Sequence, residues 1–280
     1  MKKWLSTLLI VAVALVIAAC GTSNEDEGGS GQGSEGTKTL KIGASNVPHA
    51  EILTEAKPLL EEKGIELDIT TFQDYIVPNQ ALESEDIDAN YFQHIPYLES
   101  QKEEHGYDFV NAGGIHIEPI GVYSEKYDSL DDLPERATII MSSSVPDHGR
   151  ILTMLEKEGL ITLKADVEKT VATIEDIEDN PKKLKFDTEY EASLLPQIYN
   201  NGEGDAVLIN SNYAIDAGLN PLEDAIALEA EESPYVNVIA VRNGDEDKEE
   251  IKALIEVLHS QEIQDFILEK YNGAVVPVKE

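Results

Sequence analysis

Apolar and polar residues alternate with a period of two over 39–44, and then the pattern changes. Ile52, Ala56, Leu59 and Leu60 fall on one face of a helix. Pro48 sits in its first turn, Pro58 inside it predicts a kink, and Gly64 ends it. The pattern predicts strands over 65–72 and 87–91, a short helix over 75–82 interrupted by Pro78, and a helix over 96–105 closed by Gly106. Residues 109–123 read as one long run of strand character. A second set follows: a strand over 137–141, a polar loop over 142–148 and a helix over 149–158. Residues 163–167 read as irregular, 171–177 as mixed, 189–199 as helix and 205–209 as strand. A strand over 236–242 and helices over 248–259 and 261–271 close the chain. Strands alternating with helices argue for α/β layers with mostly parallel sheets. The 109–123 run and the 236–242 strand join the two sets, which predicts two lobes connected by two crossing segments, with a ligand cleft between them. The lobes are drawn at 38–121 with 241–280, and at 122–240.

The front of the chain has another character. Lys2 and Lys3 precede an apolar segment from Leu8 to Ala19, the form of a secretory signal over 1–19 rather than of a membrane span. Ile17-Ala18-Ala19-Cys20 resembles the bacterial lipobox, which implies a lipid-modified Cys20 anchoring the protein to the extracytoplasmic face of the cell membrane. Cys20 is the only cysteine, so a disulfide framework, a thiolate metal site and a cysteine nucleophile are all excluded. Residues 20–37 hold too little apolar surface to offset their ordering entropy and read as a flexible acidic Gly/Ser tether.

The chain carries 21 Lys and Arg against 55 Asp and Glu, a formal net charge of −34. Such a surface repels phosphate backbones, which excludes nucleic acid as a partner. Candidate chemistry gathers elsewhere. Residues 88–97 pack Tyr91, Phe92, His94 and Tyr97 beside Asn90 and Gln93 in a protein that is 6% aromatic. They lie where an apolar strand ends and a helix begins, the side of an α/β sheet on which ligands bind. A core plug is the competing reading. Arg150, one of three arginines, follows a strand and a serine-rich loop at the start of a helix, where backbone N–H groups attract anions; a surface arginine paired with Asp147 or Glu158 is its alternative. Asn210 and Asn212 stand just past another strand and Asn237 within the returning one, and amides suit both ends of a zwitterion. For Asn212 an ordinary turn role competes. Six histidines show no helical zinc spacing, and neither a G-x-S-x-G elbow nor a phosphate-cradling loop is present. A serine triad with His116 and Glu118 has no marked nucleophile. No metal, cofactor or enzymatic activity is expected.

The motifs Val47-Pro48-His49-Ala50-Glu51-Ile52-Leu53, Asp74-Tyr75-Ile76-Val77-Pro78-Asn79 and Asp88 through Tyr97 resemble the methionine-binding lipoproteins of ABC importers, the NlpA type. His116-Ile117-Glu118-Pro119, Asn210-Ser211-Asn212-Tyr213-Ala214 and Ala217-Gly218-Leu219-Asn220-Pro221 extend that resemblance across 39–280. It implies a two-lobed periplasmic-binding-protein (type II) fold, monomeric, that closes over L-methionine and delivers it to a permease and its ATPase. It also implies that Tyr75, Phe92, His94 and Tyr97 cage the thioether, that Arg150 holds the α-carboxylate, and that Asn210 and Asn237 bind the polar end. Where the family has an Asn-Asp-Pro-Thr-Asn type of loop before the arginine, this chain has Ser142-Ser143-Ser144-Val145-Pro146-Asp147-His148. That departure leaves another amino acid, a methionine derivative or a short peptide open as ligand. An enzyme in the same cleft or a non-transport surface protein are the other classes.

Overall fold

The structure, a computed structural model, describes residues 37–230 and 233–278. The expected signal, Cys20 and the tether as far as residue 36 lie outside the described residues. In chain order, β1 (Lys38–Ser45), α1 (Glu51–Glu62), β2 (Ile65–Phe72), α2 (Val77–Glu83), β3 (Ala89–His94), α3 (Ile95–His105) and β4 (Phe109–Ile117) form a first group. The second comprises β5 (Gly121–Tyr123), β6 (Thr138–Ser142), α4 (Val145–Lys157), a small ribbon of β7 (Thr162–Leu163) and β8 (Ile177–Asp179), β9 (Lys185–Tyr190), α5 (Leu195–Asn200), β10 (Ala206–Ile209), α6 (Ser211–Asp216), α7 (Pro221–Asp224) and β11 (Ala227–Leu228). The chain then rejoins the first group with β12 (Val236–Arg242), α8 (Glu249–Leu258), α9 (Gln261–Tyr271) and β13 (Val276–Pro277).

Two larger sheets result, in the orders β13-β4-β12-β3-β1-β2 and β11-β5-β10-β6-β9. Their strand patterns explain the layering. Along β12, Ile239 and Val241 enter one core with α1, α8 and α9, while Val238 and Ala240 enter another with α2 and α3. Along β10, Ala206 and Leu208 pack toward α4, and Val207 and Ile209 toward α5 and α6. A strand apolar at every position is buried on both faces, so each sheet is the middle of three layers. These are the two lobes.

Several expectations are corrected. The sheets are mixed rather than mostly parallel: β12 is antiparallel to both β3 and β4, and β5 to both β10 and β11. The 109–123 run is two strands in different sheets, divided at Glu118, Pro119 and Ile120, because Pro119 has no N–H to give a ladder. The 236–242 strand pairs along its length inside the first sheet, so the return passage lies between Leu228 and Val236. Residues 185–190 are a strand, and helix begins only after the turn Ala192–Leu194. Pro78 and Pro146 each stand in the first turn of their helix, where a proline leaves no hydrogen bond unmade. Neither interrupts a helix or belongs to a loop. Helix α4 therefore starts four residues before the expected position, and Arg150 lies in its second turn, away from the free N–H groups of the helix start.

Candidate functional site

The pairing of β3, β12 and β4 sets three side chains in a row, because Asn237 is in register with His94 on one side and with His116 on the other. This row ends the first sheet where it faces the second. Opposite it, β10 runs out into Asn210 and α6, and β6 leads into α4. The cavity between them is lined from the first lobe by Tyr75, Phe92, Gln93, His94, Tyr97 and Asn237. The second lobe supplies Asp147, Arg150, Asn210, Ser211 and Asn212, and the crossing segment supplies Glu118. The position is the one sheet architecture favours, beyond the carboxyl ends of parallel strands.

One wall is aromatic. The ring centroids of Tyr75, Phe92 and Tyr97 stand 6.0 Å from one another in all three pairs, and His94 lies 6.2 Å from Tyr97. The Tyr97 hydroxyl donates to the Tyr75 carbonyl at 2.9 Å, which fixes one ring against the next. Tyr75 also spans the cleft: its hydroxyl donates to Asn212 Oδ1 at 2.7 Å, and its ring lies 5.0 Å from that of Tyr213. Beneath this wall a closed set of amide hydrogen bonds among Asn79, Asn90 and Gln93 ties β3 to α2.

The other wall is charged. Arg150 is 4% exposed, and its Nε lies 3.5 Å from both Asp147 Oδ1 and Glu229 Oε2. Its guanidinium sits 5.1 Å from the centre of the Tyr235 ring, and Nη2 donates to the Glu118 carbonyl at 3.4 Å. Burial works against the Arg150 charge, yet Glu229 and Asp147 raise its pKa above the ordinary value. Asp147, 1% exposed, accepts from His94 Nε2 at 3.1 Å and from Asn210 Nδ2 at 3.3 Å. Desolvation alone would raise its pKa. The His94 hydrogen bond, the Arg150 charge and Asn210 outweigh it and hold the carboxyl well below the usual range.

Behind the cavity lies a buried relay. Glu118 Oε1 accepts from His116 Nε2 at 2.8 Å and lies 3.2 Å from His49 Nε2, which also approaches Asn237 Oδ1 at 3.1 Å. The Tyr91 hydroxyl bonds the other nitrogen of His116. Burial keeps both imidazoles neutral, pushing His49 down to about 4 and His116 to about 3. Glu118 is raised, since its desolvation exceeds the opposing effects of His49 and Arg150. Tyr91 occupies the nitrogen that a serine nucleophile would need. The ligand atoms of His49, His116 and Glu118 all lie within 4.8 Å of one another, the one trio among the described residues with metal-site spacing. Hydrogen bonds already use the Nε2 atoms of both imidazoles and the Glu118 oxygen between them.

All seven residues that the resemblance singled out, Tyr75, Phe92, His94, Tyr97, Arg150, Asn210 and Asn237, line this one cavity. Asn212 joins them. Arg150 pairs with Asp147 as the surface reading had it, but in the interior and with Glu229 in place of Glu158. Asp147 and Glu118 also line the cavity, although the sequence offers them only as a surface partner of Arg150 and as part of an unmarked triad, and Glu229 flanks Arg150 from outside the lining. The spacing of Asp147 and Arg150, three residues apart on one helical face, was the available signal for the first. Pro119 inside a strand pattern marked the break at which Glu118 turns into the cleft.

Comparison with known proteins agrees along the whole described chain. A family model described as NlpA lipoprotein matches residues 40–279. The methionine-binding lipoprotein MetQ of Bacillus subtilis is 51% identical over 282 residues, covering 100% of both chains. Among solved structures, a pheromone cOB1 precursor/lipoprotein of the YaeC family from Enterococcus faecalis is 58% identical with a TM-score of 0.84, covering 86% of this chain and 100% of that one. A nutrient binding protein from Burkholderia cenocepacia bound to methionine is 42% identical with a TM-score of 0.81, over 86% and 100% of the two chains.

Proposed function

The chain belongs to the NlpA lipoprotein family, and on that premise we propose that it is an extracytoplasmic solute-binding lipoprotein that takes up L-methionine for an ABC importer. The observation that carries the reading is the joining of a three-ring cage and a buried arginine in one cavity between two lobes. Thioether sulfur against ring edges is worth about 0.3–1.5 kcal/mol per contact, so Tyr75, Phe92 and Tyr97 favour methionine over a plain aliphatic side chain. His94 completes the cage, Arg150 binds the α-carboxylate, and Asn210 and Asn237 bind the polar end. A ligand touching both lobes stabilises the closed state by its differential affinity, and a permease with its ATPase reads that state. The hinges are Glu118 to Ile120 and the return passage before Val236. They are tied together where the Ile120 N–H donates to Glu229 Oε2 at 3.2 Å and the Glu229 N–H to the Ile120 carbonyl at 3.0 Å. A lipidated Cys20 holds the monomer to the cell membrane. The test is a thermal-shift panel of the free amino acids on unfolded and refolded protein, followed by calorimetric titration. Methionine giving the largest shift supports the reading; a larger shift with another amino acid overturns the choice of ligand.

A further inference from the structure

Asn210 makes one hydrogen bond whose direction is fixed by chemistry. An ionised carboxylate only accepts, so the amide presents Nδ2 to Asp147 Oδ2. This turns Asn210 Oδ1 into an acceptor that is buried and has no hydrogen-bond partner, on a residue only 6% exposed that lines the cavity. Leaving such an acceptor unmet is costly, and a donor from a ligand relieves it. His94 is fixed in the same way. Its Nδ1 accepts the Tyr97 N–H at 3.1 Å, so its proton is on Nε2 and points to Asp147 Oδ1.

The charges on the wall are unequal. Glu118 and Asp147 line the cavity as acids and Arg150 as the one guanidinium, itself already flanked by Glu229. A ligand with only a carboxylate would meet this surplus of acid, whereas a primary ammonium brings positive charge and three donors.

We propose that Asp147 is a specificity-determining residue of the site, receiving the ligand's free ammonium group together with Asn210 Oδ1. The proposal rests on reading the cavity as an amino-acid site and adds the group that demands an unblocked amine. Analogues with an intact thioether and carboxylate but no ammonium are then rejected, although cage and arginine are both satisfied.

Calorimetric titration at neutral pH of the wild type and of Asp147→Asn decides it, with methionine, 4-(methylthio)butanoate and N-acetylmethionine as probes. The wild type is expected to bind methionine about 100-fold or more tighter than either amine-free probe. Asp147→Asn is expected to lose about 30-fold or more for methionine, with the butanoate unchanged or tighter. Wild type binding methionine and the butanoate within about threefold of each other overturns the proposal, as does a variant that keeps the wild-type ratio. The wild-type comparison stands by itself if the variant does not fold. A wild type that ignores methionine but binds another amino acid sinks the choice of ligand alone, and the same ratio, read with that amino acid and its deaminated form, still decides Asp147. Binding of no amino acid overturns both.

Discussion

Asp147 and Arg150 stand one turn apart on α4, both buried, with Oδ1 and Nε 3.5 Å apart on the wall of the same cavity. Each is the other's counter-charge, and each keeps one side toward the cleft. Removing either leaves a buried charge with fewer partners, so the pair couples ligand affinity to the stability of the second lobe.

Arg150→Ala is expected to weaken methionine binding by about 2–5 kcal/mol, as truncation of a buried charge partner does. Titration calorimetry measures it. Unchanged affinity would remove Arg150 from the site. The melting temperature should fall as well, because Asp147 and Glu229 lose their shared cation.

Phe92→Ala is expected to cost methionine more affinity than it costs alanine or serine, since only the thioether uses the ring. Equal losses across the three ligands would sink the cage.

Tyr75→Phe deletes one hydrogen bond across the cleft, from the hydroxyl to Asn212 Oδ1. The expected loss is about 1 kcal/mol of ligand affinity with little change in melting temperature. A double-mutant cycle with Asn212→Ala should show the two losses to be non-additive; full additivity would mean that the bond contributes nothing to closure.

Acid should unfold the protein through its buried imidazoles. His49 and His116 have folded pKa values of about 4 and about 3, below the ordinary 6.5. The unfolded chain therefore binds protons first, and stability falls as pH drops from 6.5 toward 4. In the middle of that window the slope is about 1.4 kcal/mol per pH unit for each histidine. Denaturant midpoints across the window check the sign, and His116→Gln should flatten the curve. A wild-type curve flat over that range would contradict the buried neutral state.

Gly149→Ala should destabilise the second lobe by about 1–3 kcal/mol, the range for overpacking. An added Cβ would lie 2.3 Å from the Lys169 carbonyl oxygen, and backbone cannot yield as a flexible side chain does. Chemical denaturation reads the loss.

How much of this was legible depended on range. The layered α/β character and the cavity-facing aromatics follow from local patterns, because a strand's end and a helix's start are written in a few neighbouring residues. Residues 185–190 carry Phe186, Thr188 and Tyr190 at alternate positions, a strand signal that the charged residues between them dilute. The start of α4 was hidden because Pro146 looks like a loop residue until the helix is seen to begin around it. Glu118, Glu229 and Tyr235 could not be grouped from sequence at all. Their meeting is a product of two chain passages more than 100 residues apart that hydrogen-bond at Ile120 and Glu229.

The seat of β12 has a consequence for how the molecule comes to exist. It lies between β3 and β4, strands that follow each other closely in the chain, and is itself made only after the whole second lobe. The amino-terminal lobe thus has a gap in its middle until residues 236–242 arrive. An emerging chain cannot finish that domain early, and the non-local pairing makes folding slow and late. The carboxyl-terminal stretch is therefore the keystone of the amino-terminal lobe: a chain cut before residue 236 would lack the strand that joins β3 to β4.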